Sequence, residues 1–196
     1  MKTIDKLLPA LAILLVMCPA GLAKEKEQTF KRREISVSIG GPSLWPLFEG
    51  LGYDDYRPYG MLESLYGKKY GDERYTPSFT VSYNYFAKKW LSFNTRLTYS
   101  AAYNYVYTGV DSRVDYLDVS PAVSVTEMVQ FTYLNKEKVR LYSSLGGGVS
   151  VYGGGLLPSL QFTLFGVSFG KKVFGFVEYG SGTSYLFLNG GIGYRF

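Results

Sequence analysis

Read backwards from its last residue, the chain alternates. Phe196, Tyr194, Ile192, Leu188 and Leu186 share one parity, and Arg195, Gly193, Gly191 and Asn189 share the other. An extended strand turns successive side chains to opposite faces, so one face here is aromatic and aliphatic and the other is small or polar. The same period of two recurs along the chain and predicts eight strands: Glu34–Gly41, Ser78–Phe86, Leu91–Tyr107, Val114–Leu134, Val139–Tyr152, Ser159–Phe169, Val173–Gly180 and Ser184–Phe196. The segment from Leu91 is the cleanest. Leu91, Phe93, Leu97, Tyr99, Tyr103 and Tyr105 fall on one face, and Ser92, Asn94, Arg96, Thr98, Ser100 and Asn104 on the other.

The connections alternate in kind. Ala87-Lys88-Lys89, Asn135–Lys138 and Gly170-Lys171-Lys172 are tight and Lys-bearing, whereas Pro42–Pro77, Thr108–Arg113, Gly153–Pro158 and Ser181–Thr183 are long, Gly-rich or irregular. An even count of strands, an apolar face against a polar one, and loops of unequal length at the two ends predict an all-β fold: an eight-stranded antiparallel up-and-down transmembrane β-barrel, with lipid outside and polar side chains within. Aromatic residues make up 17% of the chain, and Tyr alone accounts for 19, a content that suits aromatic belts at two lipid interfaces. Two residues fit badly. Pro121 interrupts the Val114–Leu134 strand, where a closed barrel offers no edge for a missing N–H. Glu127 has the parity of Val123, Val125, Val129 and Phe131, the lipid face. A β-bulge near either residue, or a strand that rises far above the lipid, would accommodate them.

The N-terminus adds a compartment. Lys2 and Lys6 precede the apolar run Leu7–Met17 and the small, turn-rich Cys18–Ala23. This is the three-part layout of a secretory signal peptide over residues 1–23, cleaved after Ala23. The run is too short for a transmembrane helix, which needs about 20 apolar residues. Lipidation at Cys18 is the competing reading, but Met17 stands where a small residue is expected. A charged periplasmic leader, 24–33, then precedes the barrel, 34–196. With those residues quoted, the chain resembles the bacterial outer-membrane β-barrel proteins of the OmpA/OmpX-type class. The resemblance implies the outer membrane of a Gram-negative bacterium and a monomer surrounded by outer-membrane lipid. It also implies that Ile192, Tyr194 and the terminal Phe196 form the signal read by the barrel-assembly machinery.

Candidate chemistry is sparse. The chain has no His, and its single Cys lies in the signal segment. Ser-His-acid and Cys-His catalysis are thereby excluded, and so are zinc sites built on either residue. The enzymes known among outer-membrane barrels use His, so the expectation is a non-enzymatic protein with no catalytic residue, cofactor or metal. Nucleic acid is an unsuitable partner for an exported chain whose +5 charge is scattered. The inward parity contains Arg96, Arg140, Glu178 and Arg195. An eight-stranded barrel is just wide enough to be filled by side chains, and buried charges must pair, so Glu178 is expected to pair with one or more of the three arginines. The Lys turns are read as solvated, or as contacts to anionic headgroups or a periplasmic partner. The loop Pro42–Pro77 carries Trp45, Phe48, Tyr53, Tyr56, Tyr59 and Tyr66 and is the expected binding surface for an extracellular ligand or partner protein. A narrow pore or carrier of small hydrophobic molecules is an alternative. A soluble exported lipocalin-like barrel is another, and it requires the opposite arrangement, with the apolar face inside.

Overall fold

The computed structural model describes residues 31–45, 68–70, 74–108 and 113–196. The expected signal peptide, most of the expected leader and residues 46–67, 71–73 and 109–112 lie outside the described residues.

The ten strand segments are β1 Arg33–Gly40, β2 Lys68–Tyr70, β3 Arg74–Tyr75, β4 Ser78–Lys88, β5 Leu91–Thr108, β6 Arg113–Asn135, β7 Val139–Tyr152, β8 Gly155–Gly170, β9 Val173–Gly182 and β10 Phe187–Arg195. Each long strand pairs antiparallel with its neighbours in the chain, and β1 pairs with both β4 and β10. The ladder from Glu34↔Arg195 to Gly40↔Asn189 joins the two ends of the chain and closes the sheet into an eight-stranded barrel. β3 and β2 both pair with the upper part of β5, from Tyr75↔Ala102 to Lys68↔Thr108, and prolong β4 beyond Thr76-Pro77. The expected irregular segment Pro42–Pro77 is therefore corrected at its C-terminal end, which joins the sheet.

The parity of the sequence becomes the two sides of the wall. On β4, Ser78, Thr80, Ser82, Asn84 and Phe86 are buried in the lumen, while Phe79, Val81, Tyr83 and Tyr85 are exposed on the outer surface. The outer surface continues through Ile35, Val37 and Ile39 on β1, Leu97 and Tyr99 on β5, Val123 and Val125 on β6, and Val177 and Tyr179 on β9. This is an inside-out arrangement. It runs opposite to the lipocalin alternative, whose apolar side chains would line the interior.

Two strand starts and one stretch of alternation differ from expectation. The Gly153–Pro158 loop is replaced by a two-residue turn at Gly153 and Gly154, both at positive φ, so β8 starts at Gly155. Such φ values are those of a tight hairpin turn, and glycine adopts them without strain. β10 starts at Phe187 rather than Ser184. Phe187 itself has φ 66°, which breaks the alternation, so Leu186 is buried at the barrel mouth instead of facing outward. Leu164 and Phe165 are consecutive and both exposed, because the β8–β9 ladder shifts between Thr163 and Phe165. That bulge explains why the alternation of this segment reads poorly.

Pro121 and Glu127 need no bulge. The β5–β6 register is unbroken from Leu91↔Phe131 to Val106↔Tyr116. Thr132 N donates to Trp90 O, so even-numbered residues of β6 bond to β5 and odd-numbered ones turn their N–H toward β7. β7 ends at Tyr152, opposite Ala122. Position 121 therefore has no ladder partner on the side where Pro lacks its N–H. Pro158 obeys the same rule. Leu160 O accepts from Thr183 N on the β9 flank, and the β8–β9 ladder stops at Gln161↔Gly182, short of position 158. Glu127 does face outward, and Thr95 Oγ1, directly opposite it on β5, donates to its Oε2 at 2.7 Å.

β6 and β7 approach closely at the glycine run of β7. A Cβ on Gly148 would lie 1.9 Å from Val125 O, whereas one on Gly147 meets nothing nearer than 3.4 Å. Gly148→Ala is expected to destabilise the barrel by about 1–3 kcal/mol or more by overpacking, and Gly147→Ala to be near neutral. Urea unfolding of the two variants in detergent checks this contrast.

Candidate functional site

The lumen is the one place where buried charge concentrates among the described residues. Glu178 on β9 is 1% exposed and Arg96 on β5 is 2% exposed. Arg96 Nη1 donates to Glu178 Oε2 at 3.0 Å and Nη2 to Oε1 at 2.7 Å, a bidentate pair across the barrel. Three further donors reach the same carboxylate: Tyr142 OH to Oε1 at 3.0 Å, Tyr185 OH to Oε2 at 3.1 Å and Asn189 Nδ2 to Oε2 at 2.9 Å. Bidentate charge-assisted bonds are the strong class of hydrogen bond, and a carboxylate this well satisfied is anchored in one place.

A second cluster lies toward the turn end. Arg195 is 2% exposed, and its Nε donates to Glu34 Oε1 at 2.7 Å. Its Nη2 donates to Ser168 Oγ at 2.8 Å. Arg140 Nη1 donates to the same Glu34 Oε1. Arg140 also stacks over the Phe86 ring at 4.8 Å, and Arg195 over the Phe174 ring at 4.2 Å. Glu178, expected to pair with one or more of the three arginines, pairs with Arg96, while Arg140 and Arg195 share Glu34. The alternation of Glu34, Ser36 and Ser38 against Ile35, Val37 and Ile39 already gave Glu34 an inward parity.

Strand pairing explains the distances. Glu34 is the register partner of Arg195 on β10, and Glu178 is that of Asn189. Large side chains are seated against glycines. A Cβ on Gly166 would come 2.3 Å from the Tyr142 ring, and one on Gly193 would come 2.4 Å from that of Phe174. At the loop end, the segment after β9 folds into the mouth. Tyr185 is 0% exposed, and its OH also lies 3.0 Å from Thr163 Oγ1. Gln161 Oε1 accepts from Ser184 N at 3.0 Å, and Ser184 Oγ lies 3.1 Å from Thr126 Oγ1. Tyr142 and Tyr185 were not singled out in the sequence, where they are two among many tyrosines.

What remains open is small. A cavity between the two clusters, lined by Arg96, Arg140, Asn84, Asn94 and Gln130 among others, leaves about 20 Å³ for the centre of a water-sized molecule. That is room for one or two waters.

The other sequence-derived residues lie elsewhere. Ile192, Tyr194 and Phe196 are exposed on the outer wall at the turn end, with the rings of Tyr194 and Phe196 stacked at 6.3 Å. Trp45 is half-buried beyond β1. Phe48, Tyr53, Tyr56, Tyr59 and Tyr66 lie outside the described residues. The six turn lysines are all exposed at one end, where Lys88 sits over the Trp90 ring at 5.6 Å and Lys171 pairs with Glu137 at 2.7 Å. No helix among the described residues is long and apolar enough to cross a membrane, which says nothing about a barrel. No group of His, Cys, Asp or Glu there could hold a metal ion.

No protein-family model matches the chain, and no curated protein does. Among solved structures it is similar to the outer membrane protein Ail of Yersinia pestis, whose backbone structure was determined in a phospholipid bilayer nanodisc. That likeness covers 85% of this chain and 100% of that one, at 19% sequence identity and a TM-score of 0.40.

Glu178→Ala strands the buried Arg96 guanidinium and is expected to cost about 3–5 kcal/mol, whereas the double substitution Arg96→Met, Glu178→Met is expected to recover most of that loss. Urea denaturation of the folded protein in detergent reads both.

Proposed function

We propose that this chain is an integral outer-membrane β-barrel protein whose role is structural or interactive rather than enzymatic. The observation that carries the reading is the inversion of the wall. Ile, Val, Leu, Phe and Tyr side chains cover the outside on successive strands, and arginines, carboxylates and hydroxyls fill the inside. A surface of that kind is unfavourable in water, where large exposed apolar patches drive association. In a bilayer it is the favoured one, because a closed ladder leaves no unpaired backbone group facing lipid.

The reading gives the two ends different tasks. The Lys-bearing turns and both ends of the barrel chain face the periplasm, with Trp90 and Phe131 stacked at 6.3 Å near that rim as part of an aromatic girdle. The long β5 and β6 and the 42–77 segment face outward from the cell, and the aromatic residues of that segment are the surface offered to a ligand or partner. The narrow-pore alternative is disfavoured by the plugged lumen.

Fractionated outer membranes should contain the protein as a band that runs at different positions in boiled and unboiled SDS samples, and the purified barrel in a planar bilayer should carry no single-channel current. A soluble periplasmic protein without that shift would sink the membrane reading.

A further inference from the structure

We infer that the turn end of the barrel is a docking collar for anionic phospholipid headgroups in the leaflet it faces. The inference rests on the outer-membrane reading, which puts lipid around the wall. It begins with the distribution of charge. The six turn lysines are joined at this end by the half-buried Lys31 and by the exposed Arg32 and Arg33, where β1 starts. Among the described residues, these nine cations face one exposed acid, Glu137, which is paired with Lys171. The other carboxylate at this end, Glu34, is buried in the lumen with Arg140 and Arg195. The connections of the opposite end, 42–77 and 109–112, carry four basic residues and seven acidic ones. The basic residues are thus concentrated at one end of the barrel.

The cations also encircle the wall. Lys88 and Lys89 stand at the β4–β5 turn, Lys136 and Lys138 at the β6–β7 turn, and Lys171 and Lys172 at the β8–β9 turn. Lys31, Arg32 and Arg33 complete the circle at the seam between β1 and β10. A perimeter charged on every side matches what surrounds a barrel on every side, which is lipid.

Depth supports the same occupant. Lys88 Nζ lies over the Trp90 ring at 5.6 Å, and Lys31 Nζ over the Tyr194 ring at 5.9 Å. Both rings are exposed on the outer wall, and each stacks on a second aromatic, Phe131 and Phe196 respectively. Amphipathic rings settle at the lipid interface, and long cationic side chains beside them reach out to the headgroups. The ammonium groups are thereby held at phosphate depth. That position matters, because attraction between basic residues and an anionic leaflet fades within a Debye length of its surface.

The test places the folded full-length protein in nanodiscs of phosphatidylcholine with a minor share of phosphatidylglycerol. Spin-labelled forms of the two lipids report how much of each is motionally restricted against the barrel. Phosphatidylglycerol should be preferred by about two- to fivefold; the upper value is that of one lysine at an anionic surface, and the lower averages the two leaflets. The preference should shrink toward one at 1 M salt, where the Debye length is about 3 Å. Replacing the six turn lysines by Gln should abolish it. The partial variant Lys136→Gln, Lys138→Gln should reduce it by a smaller amount, and serves if the full variant does not fold. A wild-type barrel without headgroup preference would overturn the proposal, and so would a preference unchanged in a folded Gln variant. Polyglutamate held by the wild-type barrel while the two lipids are restricted equally would assign the collar to an acidic protein instead. A protein that never enters nanodiscs fails the membrane reading as well, whereas one that enters and shows no preference fails this proposal alone.

Discussion

Everything in this molecule follows from the closure between β1 and β10. A sheet of eight strands with free edges would expose unpaired N–H and C=O groups along both margins, and in an apolar solvent each would be costly. The ladder from Glu34 to Gly40 removes the edges, and it does so by joining residues near the start of the described chain to residues at its end. Closure then fixes the interior. Eight strands enclose a lumen so narrow that the inward side chains must pack against one another. Polar residues on that parity meet across the barrel, and their partners are dictated by register. Glu34 meets Arg195 because they are paired positions of the closing ladder, so the last seam of the barrel is also an ion pair.

The interior is accordingly held together by electrostatics where a soluble domain would use apolar packing. Apolar burial is present, but as a lining: Phe86 and Phe174 support the guanidinium groups of Arg140 and Arg195, with Phe176 beside the Phe174 ring, while Glu34 accepts from both arginines. Buried ion pairs are weak as a source of net stability and strong as a source of specificity, because a misregistered strand would strand a charge. A shift of one residue in β9 would send Glu178 outward and Val177 inward. The charged lumen thus reinforces the strand register that the backbone ladder alone would leave free to slip.

The strands were legible in the sequence because an inside-out barrel writes its two faces as strict alternation, and β7 and β5 lie within a residue of their expected bounds. Legibility failed where the period of two is broken by backbone conformation. The bulge at Leu164-Phe165 and the positive φ of Phe187 shift parity without any local sequence mark, so Leu186 was placed on the wrong face. The charge pairs were half legible. Parity identified which side chains share the lumen, but the partner of each arginine depends on strand order and height around the barrel. Glu34 opens the first predicted strand and was not among the expected charge partners, although its alternation with Ser36 and Ser38 marks it as inward.

Pro121 shows how the same ladder logic shapes the far end. A proline in a closed wall looks like an error until the heights of the strands are compared. β6 has 23 residues and β5 has 18, whereas β7 has 14 and stops opposite Ala122. Above that level the wall is no longer closed on the β7 side, and β6 has an edge. An unprotected edge invites pairing with any passing strand, and proline on the exposed N–H side blunts it. Pro158 does the same where β8 outruns β9. The two prolines therefore stand at the steps of an uneven rim, each at the point where its strand loses a neighbour. The rim can rise on the β5–β6 side without becoming a site of indiscriminate strand addition. The other rim has no such steps, because tight Lys-bearing turns bring neighbouring strands to a common level. The asymmetry first seen as a difference in loop length is thus a difference in how each end disposes of its free backbone groups.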